Sequence, residues 1–496
     1  MAGLRRLRTL TLTILSAILL LYALLLIPEP APDIPAAPDR RAFAWNRNTY
    51  WESLETAFQQ ARQIDCTTLR PTIAAGLDNL RSLQSRLEPA PVPADAVIWD
   101  SIQAAIFEIA PLLGACPESI DTFQSLTAEL RQAVKTSARA WDLDNPDVRA
   151  LMYRLLYGSR IAVEEILLQM PDSSRGTLFL AADEPSTTPS AQLLDITIHS
   201  GDILISRGGA PTSALIARGN DFPGNFSHIA LVHVDSATSE ISIVESHIEC
   251  GVAIATSDQY LSDTKLRVLA LRLRADLPAL ITDPMLPHRV ATSALDRARR
   301  EHIPYDFPMD FADSSALFCS EVASYPYRQH GIDLWMGMSH MSGAGLRSWL
   351  AAFGVENFET QAPSDLEYDP QLRVVAEWRD PQTLYQDHVD NAILDALQEQ
   401  AERDGRRLEY DWYMLPFGRL LKAYSVVLNC FDGVGPIPEG MSAASALRND
   451  RFSTRHARIK TQVMNLAADF ERQHGYRPPY WELVKLARRT VTSQQP

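Results

Sequence analysis

The chain has no excess of basic residues. Its 496 residues carry 46 Lys and Arg against 61 Asp and Glu, a formal net charge of −15. A general nucleic-acid binder needs the opposite balance, so no nucleic-acid partner is expected. HExxH runs and closely paired cysteines, the short patterns that announce zinc, are missing too, and neither metal nor cofactor is expected. There is no internal repeat. Cysteines number only five, and none lies near the N-terminal apolar run to take a lipid.

With 46% hydrophobic and 22% charged residues the chain is globular, with ample apolar content for real cores. Its length suits two to four units. Arg5, Arg6 and Arg8 precede an uncharged apolar run from Thr9 to Ile27, nineteen residues, or roughly 28 Å as a helix. That nearly matches the ~30 Å core of a bilayer. Residues 1–27 therefore read as a transmembrane anchor in preference to a signal peptide, whose apolar region runs only ~7–15 residues. The flanking arginines put the N-terminus in the cytoplasm. The expectation is a single-pass inner-membrane protein with a periplasmic body. In that compartment Cys66 and Cys116 are candidates for a local disulfide and Cys250 and Cys430 for a second, leaving Cys319 as the odd thiol.

Pro28, Pro30, Pro32, Pro35 and Pro38 make residues 28–40 a stiff linker. Residues 41–172 read as a helical domain: Trp51, Leu54, Phe58 and Ala61 recur at helical spacing, and Pro91, Pro93, Pro117 and Asn145-Pro146 cut the region into four or five helices. Residues 173–195, rich in Ser, Thr and Pro, are a second linker. From 196 to 380 the pattern is α+β, with strands at Gly201–Ile205, Ile229–Val234, Ile241–Glu245, Leu266–Leu273 and Leu372–Trp378, and helices at Pro287–Glu301 and Ser320–His330. Residues 381–496 return to helix.

Three residues carry chemistry. Cys319, at the expected start of a helix, is placed to gain thiolate character from the helix N-terminus. His228 opens a strand and is the candidate base. Its neighbour His233 lies five residues on, faces the opposite side and cannot share the site. Glu245, on the next strand, is the candidate orienting acid, and shares a face with His247 and Glu249. A thiol, an imidazole and a carboxylate are the parts of a nucleophile–base–orienter device. A zinc set of His228, Glu245 and His247 is the chemical alternative, without motif support.

The order Gly201-Asp202-Ile203, Ser227-His228-Ile229-Ala230-Leu231-Val232, Val244-Glu245, Tyr305-Asp306-Phe307 and Phe318-Cys319-Ser320-Glu321-Val322 resembles the permuted papain-like amidases of the YiiX/YebB type, within the NlpC-like superfamily. The closing Pro363-Ser364-Asp365-Leu366 looks like that family's terminal strand region. The resemblance covers residues 196–380. It implies a circularly permuted papain-like core of antiparallel strands and helices, here flanked by two helical regions. It implies Cys319 as nucleophile, His228 as base and Glu245 as orienting acid. Ser227 and Tyr305, within these motifs, are candidate substrate contacts. Phe318 stands where the family has a tyrosine. The function expected is a membrane-anchored cysteine amidase or peptidase acting on an amide- or ester-containing envelope substrate such as peptidoglycan peptides. The rivals are a lipid acyl hydrolase or acyltransferase of related fold, and a non-catalytic envelope interaction protein.

Overall fold

The computed structural model describes residues 2–30, 32, 34–36, 42–43, 49–87, 91–170, 176–181, 183–334, 337–405, 407–431 and 433–493, with the side chains of 2–9 and 49–51 outside the description. Pro38, the Trp51 side chain and residues 173–175 of the second linker therefore lie outside it.

Six helices come first: α1 (Ala2–Leu25), α2 (Thr49–Ala61), α3 (Cys66–Gln84), α4 (Ile98–Ala115), α5 (Ile120–Ala138) and α6 (Pro146–Gln169). Strands then begin with β1 (Leu178–Leu180), β2 (Ser190–Leu193), β3 (Ile196–His199) and β4 (Ile203–Gly208). After α7 (Pro211–Arg218) come β5 (His228–Val234), β6 (Ile241–His247), β7 (Gly251–Thr256), α8 (Ser257–Ser262) and β8 (Lys265–Leu273). The central region continues through α9 (Pro278–Thr282), α10 (Leu286–Arg300), α11 (Glu321–Gln329), β9 (Ser339–His340), α12 (Ala344–Ala352), β10 (Glu359–Thr360), α13 (Asp365–Tyr368) and β11 (Leu372–Arg379). Helices α14 (Pro381–Asp404), α15 (Leu415–Asn429), α16 (Ala443–His474) and α17 (Tyr480–Ser493) close the chain.

The class is α+β. Seven strands form one antiparallel sheet in the order β1-β11-β8-β4-β5-β6-β7. Side chains alternate across it, as a period of two requires. Ile203, Ile205, Ile229, Leu231, Leu269 and Leu271 join the core of the N-terminal helices with α10 and α11. Leu204, Ala230, Val232, Val268 and Ala270 face the other way, onto Ile196 and Ile198 of the β2–β3 hairpin. The long helices α6 and α14 start alike: Asn145 and Asp380 accept backbone N–H groups at the cap, and Pro146 and Pro381 take the first helical position.

A buried ionic network ties the three regions together. Arg267 of β8 forks onto Glu164 of α6 at 2.6 and 3.0 Å and pairs with Asp387 of α14 at 2.9 Å. Arg160 of α6 meets Glu367 of α13 and Glu377 of β11. His388 of α14 contacts Glu164 at 3.0 Å. Burial opposes charge on that imidazole, but Glu164 and Glu165 prevail and raise its pKa to about 9.

Several expectations are corrected. Among the described residues no helix is long and apolar enough to cross a membrane. Side chains of α1 are described from Leu10. Thr11, Thr13 and Ser16 dilute its apolar character, and beyond it Arg419 binds the carbonyls of Leu25 and Ile27. The transmembrane anchor and the single-pass inner-membrane placement fall with that span. Cys66 and Cys116 are disulfide-bonded, whereas Cys250 and Cys430 are free, because Cys430 ends α15 facing outward while Cys250 sits in the β6–β7 turn. Pro363-Ser364-Asp365-Leu366 is no strand. It leads into α13, where Asp365 accepts the Ala362 N–H and pairs with Arg149.

Candidate functional site

The β5–β6 register sets the site. Ala230 lies opposite Glu245, so Glu245 is diagonal to His228 on the same face. Diagonal neighbours stand roughly 7–8 Å apart at the backbone, within reach of long side chains. His228 Nε2 is 2.8 Å from Glu245 Oε2, and His247 Nε2 is 3.1 Å from Glu245 Oε1. One buried carboxylate thus holds two imidazoles whose ring centres are 5.4 Å apart. With Nε2 donating to Glu245, His228 keeps Nδ1 as an acceptor.

The three groups polarise one another. Burial works against charge on Glu245, yet hydrogen bonds from His228 and His247 outweigh it and hold the carboxyl well below the usual carboxylate range. Burial lowers the pKa of His228 despite the pull of Glu245. Burial acts the same way on His247, but there Glu245, Glu249 and Asp263 win and the pKa rises. His228 is thereby biased toward neutral base and His247 toward imidazolium. Sequence reasoning put His247 on the face of Glu245 and in the alternative zinc set, but gave it no part in the hydrolase relay. The signal was present in its two-residue spacing from Glu245, which puts both on one face.

Cys319 sits just before α11. Its Sγ lies 3.8 Å from the Ser227 carbonyl, and the Ser320 side chain with the backbone of Ile229, Ser320 and Cys319 favours its thiolate. The expected easing of thiolate formation is reversed. Only 5% of the residue is exposed, and burial pushes the thiol up to about 12 against those donors. Desolvation here outweighs the helix end. The thiol touches backbone on one side of His228 and faces backbone on the other, and no hydrogen bond joins it to the imidazole. The imidazole–carboxylate half of the expected relay is hydrogen-bonded; the thiol half is not.

Glu321, two residues on, accepts the Phe318 N–H at 3.1 Å and so braces the Cys319 segment. Burial, partly relieved by that N–H and reinforced by Asp306, raises its pKa to about 8. His233 stacks on His288, ring centres 5.3 Å apart, and is not among the residues lining the Cys319 cleft.

Cys319, His228, Glu245, His247, Ser227 and Tyr305 line one open cleft of about 1220 Å³. The Ser227 hydroxyl already accepts the Gly208 N–H at 3.2 Å, while Tyr305 packs edge-on against Phe307 in the loop over the cleft. Gly435, Pro436 and Met441, between α15 and α16, form another wall. The ligating atoms of His228, Glu245 and His247 also lie within 4.8 Å of one another, a spacing that suits a three-ligand metal set.

No protein-family model matches the chain, and no curated protein matches it. Among solved structures it is similar to the metalloprotein yiiX from Escherichia coli O157:H7, at 17% identity and a TM-score of 0.29, over 36% of this chain and 97% of that one.

Proposed function

We propose that this protein is a cysteine hydrolase of amide bonds, working in the manner of the permuted papain-like amidases that its motifs resemble. The observation that carries the reading is the His228–Glu245 hydrogen bond, made in the cleft that Cys319 also lines. In the mechanism, substrate entering the cleft displaces the thiol from the Ser227 carbonyl. His228 Nδ1 takes the thiol proton, and sulfur bonds to the carbonyl carbon. The Cys319 N–H and its neighbours stabilise the oxyanion. The C–N bond then breaks as the imidazolium returns its proton to the amine, and water, activated by the same imidazole, releases the acid and frees the thiol. Glu245 fixes the tautomer throughout.

A second reading rests on His247: His228, Glu245 and His247 would hold a divalent metal. One experiment separates the two. The purified chain is assayed against peptide amides and acyl esters, with and without prior chelation, beside Cys319→Ala. The hydrolase reading expects turnover that survives chelation and disappears in Cys319→Ala. Turnover that survives the alanine and is abolished by chelation establishes the metal reading, and hydrolysis of esters alone replaces amide with ester as the bond cleaved.

A further inference from the structure

Helix α15 carries a bare apolar face. Phe417, Leu420, Leu421, Tyr424, Val427 and Phe431 recur at helical spacing on one side, and each is between 48% and 79% exposed. The helix is held to the protein through Leu415, Pro416, Gly418 and Ser425, which are buried. Trp412 and Tyr413, 68% and 50% exposed, extend the face at its N-terminal end. So much contiguous exposed apolar surface marks an interaction site.

Charge indicates the occupant. In a chain with net charge −15, the segment Trp412–Phe431 has no acidic residue and two cations, Arg419 and Lys422. Both reach backbone carbonyls, Arg419 those of Leu25 and Ile27, Lys422 that of Pro438. Aromatic rings at the ends of an apolar stripe that carries no acid are the composition of a helix that lies in a lipid–water interface. A protein partner would be met by a more polar rim. The face is also continuous with the cleft: the chain leaves α15 through exposed Val434 directly into Gly435, Pro436 and Met441, which wall the space holding Cys319.

We propose that α15, with Trp412 and Tyr413, docks this protein on the surface of a phospholipid bilayer, lying in the interface without crossing it, and so opens the Cys319 cleft toward the lipid headgroup layer. The docking stands by itself. That the docked cleft receives a lipid-borne acyl carbonyl rests on the hydrolase reading above.

The test uses full-length protein floated with phosphatidylcholine vesicles, alone or mixed equally with phosphatidylglycerol, so that failure of docking and failure of catalysis stay separate. The wild type and Cys319→Ala are expected to float equally. Leu420→Asp/Tyr424→Asp/Val427→Asp, all on exposed side chains and checked by circular dichroism, is expected to float at least about tenfold less, since three apolar side chains that would enter the lipid become carboxylates. Wild type that stays in solution overturns the proposal. So does triple variant that floats unchanged, which would assign binding to another surface such as α1. A wild-type dimer that the triple variant dissolves, with no vesicle binding by either, assigns the face to a second copy and overturns it equally.

Discussion

Arg267→Met is expected to destabilise the protein by roughly 3–5 kcal/mol, the range for removing one partner of a buried ion pair. Methionine fills most of the arginine's volume, so the cavity contribution is small. What remains is electrostatic. Glu164 loses a bidentate partner at 2.6 and 3.0 Å, Asp387 loses one at 2.9 Å, and both carboxylates are fully buried. His388 still faces Glu164, but among the described residues Asp387 retains only Arg207 as an ion-pair partner, at 3.1 Å. Glu164→Gln relieves one of the orphaned charges. The pair Arg267→Met/Glu164→Gln is therefore expected to cost less than the sum of the single changes. Urea unfolding of the four proteins measures this, and an additive pair would show that the two residues do not stabilise each other.

Glu245→Gln is expected to lower turnover by roughly 10²- to 10⁴-fold, the scale seen when the orienting acid of a nucleophile–base pair becomes an amide. The amide keeps the shape but carries no charge, and its NH2 end cannot accept from an imidazole N–H. Either His228 must then reverse its tautomer or His247 must give up its Nε2 proton. Because Glu245 acts through His228, it is a positioning residue: kcat should fall with KM near wild type, and Glu245→Asp should recover part of the loss. A KM effect without a kcat effect would place Glu245 in substrate binding instead.

The sheet was legible where apolar residues run along fully buried strands. Ile229–Val234 and Leu266–Leu273 lie within one residue of β5 and β8, because both faces of those strands are covered. The exposed edge strand β7 went unread, since Val252, Ala253 and Ile254 sit among partly exposed neighbours and lack a clear period. Within the site, strand parity separated His228 from His233 and put His247 with Glu245. What parity could not convey is depth. Cys319 was expected to gain from the helix end, and burial decides against it. The ionic network was illegible for a related reason. Its members lie 103 to 224 residues apart in the hydrogen bonds of Glu164 alone, and a charged residue on a helix ordinarily signals solvent. The N-terminal run was read from length and hydropathy, and among the described residues no helix is both long and apolar enough to cross a membrane.

The central claim is that Cys319 is a nucleophile served by His228. Its most direct test is intact-mass spectrometry of the full chain after brief exposure to an activated acyl ester, with the modified peptide then mapped. The account predicts a single acyl adduct on Cys319 that decays by hydrolysis in the wild type, forms far more slowly in His228→Ala, and is absent from Cys319→Ala. An adduct spread over Cys250 and Cys430, or one that forms on Cys319 at the same rate without His228, would contradict it.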